Sequence, residues 1–322
     1  MPTAFLALPQ RVEEDGIVTF VEQLVACDDA DEIVIDAVAA GEHTAGALAA
    51  LAAMHRRWEC KLRTPEDEAR KVKLLNFERW PMHPCFEGSS VARGALGEGT
   101  TFGLTSAICE VRPETGEVER VASELAKAVA PDGWAGGPLY PLVQYCFGEL
   151  LRNCVQHTGE PAFAIVQERC DALGDVKFVR LAVADCGRGV RLSFVENESP
   201  KAHPGMSDTE AILRAVEPLV SSTVHLPRLP YGRSSNMGVG LSMVRQLARA
   251  TAGHFTILSG SAWLHQAGDA SPATGSPSPQ WPGSIVSLSL GVEAMTTYGE
   301  MLGAARGAIG LTPRGNVNKL FL

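Results

Sequence analysis

Residues 142–157, LVQYCFGELLRNCVQH, restrict the fold more than any other stretch of the chain. Apolar residues fall at 142, 143, 146, 147, 150, 151, 154 and 155, adjacent pairs four apart. That is the signature of one buried face along an α-helix. Glu149, Asn153 and His157 repeat at the same spacing on another side, about 6 Å apart per step. A carboxylate and a carboxamide one turn apart on a rigid helix suit a hydrated divalent cation. The amide oxygen can ligate the ion while the carboxylate orients a water or takes its proton. Alone the pattern is weak, because Glu and Asn at this spacing are common on solvated helices.

Two glycine turns follow. Lys177–Ala184 (KFVRLAVA) reads as a strand from its β-branched and alternating content, and it runs into Asp185-Cys-Gly187-Arg-Gly189. Glycines at a strand end permit a tight turn and close approach of a ligand, with the Asp185 carboxylate placed to accept from an exocyclic amine. Further on, Gly238-Val239-Gly240-Leu241 opens the amphipathic pattern SMVRQLARATAG, which closes at Gly253. Free N–H groups at such a helix start face phosphate oxygens well. A Rossmann fingerprint is a poor competitor, because the glycine pair follows a long loop and no βαβ unit brackets it.

ExxxN on a helix, DxGxG after a strand and GxGL opening a helix, in that order, resemble the motif set of the GHKL ATPases. These share the ATP-binding fold of DNA gyrase, a heat-shock chaperone, histidine kinases and mismatch-repair ATPases. The resemblance covers roughly residues 117–292. It implies a Bergerat-type α/β sandwich, a mixed sheet covered on one face by helices, that binds ATP with Mg2+. Asn153 would then be the magnesium ligand and Glu149 the catalytic group that polarises the attacking water or acceptor. Asp185 would hold the adenine amine, and Gly187 and Gly189 would form the turn beside the base. Gly238 and Gly240, with Val239 and Leu241, would cradle phosphates. His157 stands where the family often has a basic residue near the phosphates. Residues 190–237 would be the ATP lid, containing a helix over SDTEAILRAVEPLV. Ser221, Ser222, Arg233, Ser234 and Ser235 would touch phosphates when it closes. A phenylalanine box and a phosphoacceptor histidine on a long dimerisation helix are missing (His43, His55 and His83 lie in the N-terminal part), which argues against histidine-kinase activity.

The rest of the chain reads as α+β. Residues 1–85 form a smaller α/β unit with strands at Phe5–Leu8 and Glu32–Ala37, a helix at Ile17–Ala26, and an alanine-rich helix that Thr44 would N-cap. This unit is loosely similar to the STAS fold of anti-sigma-factor antagonists, which would make Thr44 a phosphosite. Residues 86–116 are a glycine-rich linker or extended segment, and 117–130 a helix. Residues 268–283, rich in Ser, Pro and Gly, are an exposed loop, and 293–322 a C-terminal helix and tail.

Net charge is −9, which disfavours a general electrostatic grip on nucleic acid. The eight cysteines form no CxxC pair and are expected to be reduced hydrophobes. No run is apolar enough to span a membrane and no signal peptide is evident, so a cytoplasmic location is expected. The leading expectation is a Mg2+-dependent ATPase whose nucleotide state switches conformation or assembly, with an unidentified protein partner or a homodimer. The alternatives are an anti-sigma-type serine/threonine kinase acting on a STAS domain, and a nucleotide sensor without turnover.

Overall fold

The computed structural model describes residues 3–7, 11–12, 16–27, 30, 32–36, 42–58, 102–106, 108–112, 117–158, 160–171, 173–220, 238–276 and 280–311. Ser221, Ser222, Arg233, Ser234, Ser235 and His83 lie outside these residues, as do most of the expected linker and the tail beyond 311. The protein is α+β, with eight described α-helices around an open antiparallel sheet.

The N-terminal part comprises β1 (Thr3–Ala7), β2 (Arg11–Val12), α1 (Ile17–Val25), β3 (Glu32–Asp36), β4 (Glu42–His43) and α2 (Ala45–Trp58). β1 pairs with β3 and β2 with β4, both in parallel. Thr44 caps α2 as its position predicts: Oγ1 accepts the Ala47 N–H at 3.4 Å.

The main sheet is built from β5 (Phe102–Thr105), β6 (Cys109–Val111), β7 (Ala162–Cys170), β8 (Val176–Asp185), β9 (His254–Gly260), β10 (Ala262–Ala267), β11 (Ala273–Gly275) and β12 (Trp281–Gly291). Strand order is β11-β10-β9-β12-β8-β7-β5, with β6 also on β7. Every pairing in it is antiparallel, not mixed as expected. Short connections turn β7 into β8 and β9 into β10, and β12 then inserts between the two hairpins. β5 and β6 show that the expected linker contributes two edge strands.

Both faces of this sheet are buried, which corrects the expectation of helices on one face. Side chains alternate along each strand. Val179, Leu181 and Val183 of β8 join the core beneath α3 (Glu117–Val129), α4 (Leu139–Thr158), α7 (Gly240–Ala250) and α8 (Tyr298–Ala308). Ala182 and Ala184 face the other way, with Phe163, Ile165, Leu258, Trp281 and Ile285, into a core shared with α1 and α2. Residues 45–54 of α2 are almost devoid of polar side chains and are buried on every side, so α2 is a central helix. α1 and α2 therefore share a core with this face of the sheet.

α4 buries all eight predicted apolar positions. Pro141 sits in its first turn, where a missing N–H costs nothing. The stretch 268–283 is not simply an exposed loop: it holds β11 and ends in Trp281, which is 1% exposed. The described part of the expected lid is likewise packed. It holds α5 (Gly189–Glu196) and α6 (Asp208–Ala215). Asp208 accepts from the Ser261 N–H and hydroxyl, both at 2.8 Å, and pairs with Arg191 at 2.8 Å, tying α6 to the β9–β10 turn. α7 closes with Ala252, not Gly253, in the left-handed region (φ 52). The Ala252 and Gly253 N–H groups bond Arg249 O and Ala248 O at 3.1 and 2.9 Å. No described helix is long and apolar enough to cross a membrane.

Candidate functional site

The three sequence motifs meet along the polar edge of α4. Its first carboxylate, Glu149, accepts from Arg152 Nη2 at 2.7 Å through Oε1. Oε2 faces the start of α7, where a Cβ added to Gly240 would lie 2.5 Å from it. The Glu149 carboxylate thus lies in the space beside Gly240. Val239, the N-cap of α7, offers no side-chain cap, so first-turn N–H groups of α7 have no side-chain partner at the cap and the helix end favours negative charge. Val239 and Leu241 are partly buried against the core below. Gly238 has φ 69, and an added Cβ would lie 2.5–2.6 Å from the Val220 backbone. The end of the α5–α6 segment and the start of α7 are therefore adjacent.

One turn further along α4, Cys154 reaches the second motif. Asp185 is 0% exposed. Its Oδ2 accepts from Ser284 Oγ at 2.5 Å and its Oδ1 from the Gly187 N–H at 2.9 Å, with the Cys154 thiol close beside it. Burial pushes the carboxyl above the usual carboxylate range, against the pull of these donors. Burial, and next the Asp185 charge, raise the Cys154 thiol. The Asp185 carbonyl accepts from Trp281 Nε1 at 3.0 Å, and Cys186 Sγ lies 3.8 Å from Met54 Sδ of α2. The base of the turn is thus anchored on the α2 side of the sheet.

The motif glycines are filled by protein groups. A Cβ on Gly187 would run into Thr158, the last residue of α4. Gly189 has φ 69, and its added Cβ would lie 2.8 Å from Ser259 Oγ and 3.0 Å from Gly283 O. Ser259 bonds Gly283 O at 2.7 Å and receives the Val190 N–H at 2.9 Å. In this conformation the space beside both glycines is occupied by groups of the chain itself.

His157 Nδ1 lies 3.3 Å from Ser193 Oγ of α5. Burial first, and then the Arg188 guanidinium, lower its pKa to about 4. The ring is therefore neutral at pH 7 in this conformation. Asn153 is half-buried between Arg152 and Cys154. Thr44 is 2% exposed and engaged as a cap, so this conformation offers no hydroxyl for phosphorylation.

Sequence reasoning missed Arg152, Cys154, Thr158, Ser193, Trp281 and Ser284. Cys154 reads as part of the apolar stripe, and Ser284 follows a Ser/Pro/Gly stretch with no local sign of its partner 99 residues earlier. The six described cysteines, 27, 109, 146, 154, 170 and 186, form no disulfide with one another. Among the described residues no group of three or more His, Cys, Asp or Glu could hold a metal ion. Comparison with family models, curated proteins and solved structures gives no match.

Proposed function

We propose that this end of the sheet is a GHKL-type ATP site and that the protein hydrolyses ATP with Mg2+. The observation that carries the reading is the convergence of three sequence-distant motifs on one helix edge. Glu149 meets Gly240, Cys154 and Thr158 meet the Asp185–Gly187 turn, and His157 meets α5. A carboxylate has about four lone-pair sites. Ser284 Oγ and the Gly187 N–H take two of these, and the Cys154 thiol and the Ser284 N–H lie against the same carboxyl, so an adenine amine would join them only after one moves aside. Phosphates would lie along the N-terminus of α7, where the helix dipole favours them.

Asn153 supplies one amide oxygen, which fits Mg2+ because that ion keeps waters and phosphate oxygens as most of its ligands. When bound, the ion would neutralise charge on the phosphates. Glu149 then acts on a water. The water oxygen bonds to the γ-phosphorus as the bond to the ADP oxygen breaks, ADP leaves with the electron pair, and the water's proton passes to the carboxylate.

The test is equilibrium titration of the full chain with a fluorescent ATP analogue and Mg2+, followed by phosphate release. Wild type is expected to bind ATP and to lose binding in Asp185→Asn, which places an amide donor against the donors around that carboxyl. Glu149→Gln should bind ATP yet release no phosphate. Binding that Asp185→Asn leaves unaltered, or no binding by wild type, overturns the reading.

A further inference from the structure

We infer that Arg152 is a positioning residue that fixes Glu149 for its task, an inference that rests on the hydrolytic reading above. Three observations meet here. Arg152 lies three residues after Glu149 on α4 and donates Nη2 to Oε1 at 2.7 Å, with both side chains largely sheltered (29% and 18% exposed). The guanidinium lies back along the helix over Gly148, where an added Cβ would sit 3.2 Å from Nη2 and 3.4 Å from Nη1. Glycine in a helix interior is unfavourable, and at 148 it leaves the space that the guanidinium uses. Finally, Oε2, the oxygen Arg152 does not hold, is the one facing Gly240 at the start of α7.

A glutamate side chain on a helix samples several rotamers. With one oxygen held by a planar, permanently charged fork, the carboxylate presents the other in a single direction, toward the place the phosphates would occupy. Arg152 also reaches Glu119 of α3 at 3.4 Å, but that carboxylate is 64% exposed, so this second contact is the weaker one. The sheltered pair is the one that matters for orientation. Arg152 touches neither nucleotide nor water in this scheme; it acts through Glu149.

The experiment measures nucleotide affinity and steady-state hydrolysis separately in the full chain for wild type, Arg152→Met, Arg152→Lys and Glu119→Gln. Arg152→Met should lower kcat about ten- to a hundredfold, the scale expected when a reacting group is displaced by about 1 Å. Its ATP affinity should stay within about twofold of wild type, since only orientation is lost. Arg152→Lys should recover part of kcat through one remaining donor, and Glu119→Gln should resemble wild type. If Arg152→Met weakens ATP binding at unchanged kcat, Arg152 is a phosphate ligand and the inference falls. It falls equally if both quantities are unchanged while wild type turns over. A wild type that binds ATP without hydrolysing it overturns the role of Glu149 and of Arg152 together but leaves the ATP site standing. A wild type that binds no ATP refutes the site itself.

Discussion

Leu51→Ala tests whether the first 58 residues and the sheet share one core. Leu51 lies near the middle of α2, is 1% exposed, and belongs to the cluster that includes Phe163, Ile165, Ala184, Trp281 and Ile285. Truncating a fully buried leucine costs its transfer free energy and leaves a cavity, together about 3 kcal/mol. For a chain of this length that lowers the melting temperature by roughly 5 °C if everything unfolds together. Since 1.4 kcal/mol is a factor of ten, amides that exchange only by global opening should exchange about a hundredfold faster. The assay is hydrogen exchange read by mass spectrometry, alongside thermal melting by far-UV circular dichroism and tryptophan emission. Peptides from α2 and from β7, β8 and β12 should accelerate by the same factor, in one melting transition. Acceleration confined to residues 1–58, with β8 exchanging as in wild type, would refute the shared core and restore a separable N-terminal unit.

His157 gives a pH dependence. Its folded pKa of about 4 lies below the ordinary 6.5, so the unfolded chain takes up the proton first as pH falls. The stability from the neutral ring is whole above about pH 6.5 and is lost between there and pH 4, by up to roughly 3 kcal/mol. His157→Gln should flatten urea-derived stability across that window, and an unchanged slope would sink the assignment. Thr44→Ala should cost about 1 kcal/mol through the lost cap, measured by urea melting. After incubation with Mg2+ and ATP the native protein should carry no phosphate at residue 44 by mass spectrometry. Gly253→Ala would drive a Cβ into the Ser289 carbonyl and should destabilise by at least about 2 kcal/mol. Gly303→Ala in α8, where nothing lies within 4 Å of the added atom, should instead stabilise by about 0.5–1 kcal/mol; equal effects of the two would contradict the packing.

The elements with strong periodicity were legible in the sequence. α4 follows from its paired apolar positions, β8 from its β-branched run, and the cap of α2 from Thr44, because each depends on residues within a turn or two of chain. The placement of α2 was not. An alanine-rich helix reads as part of whichever unit it stands in, and only the second apolar face of β7, β8 and β12 shows where it must go. Short, fully apolar strands announce burial on both sides but do not name the partner. Trp281 was lost for a related reason. The Pro and Gly around it signal a loop, while its indole is held by Asp185, 96 residues away. At the candidate site the motifs themselves were visible. Their contacts were hidden, since Ser284, Thr158 and Ser259 reach the motif residues only through the folded sheet.

The filled glycines bear on how any nucleotide would enter. Thr158 closes on Gly187, Ser259 and Gly283 on Gly189, Glu149 on Gly240 and Val220 on Gly238. Asp185 has no exposed surface. A base amine meets its carboxylate only after a covering group moves, so on the ATP reading the described conformation is the closed partner of a binding-competent one. Affinity is then reduced by the fraction of molecules in the competent state, and the elements that must give way become the ones that sense occupancy. Two of them are identifiable. The end of α4 carries both Thr158 and His157, and its neighbour α5 is fixed to α6 by Arg191 and Asp208. The turn is braced from behind by Trp281 and by Met54 of α2. A nucleotide that opens the turn would shift α5 and α6 against the sheet. On the ATP reading, the segment joined to the motif turn through His157, Ser193, Arg191 and Asp208 would carry any such motion.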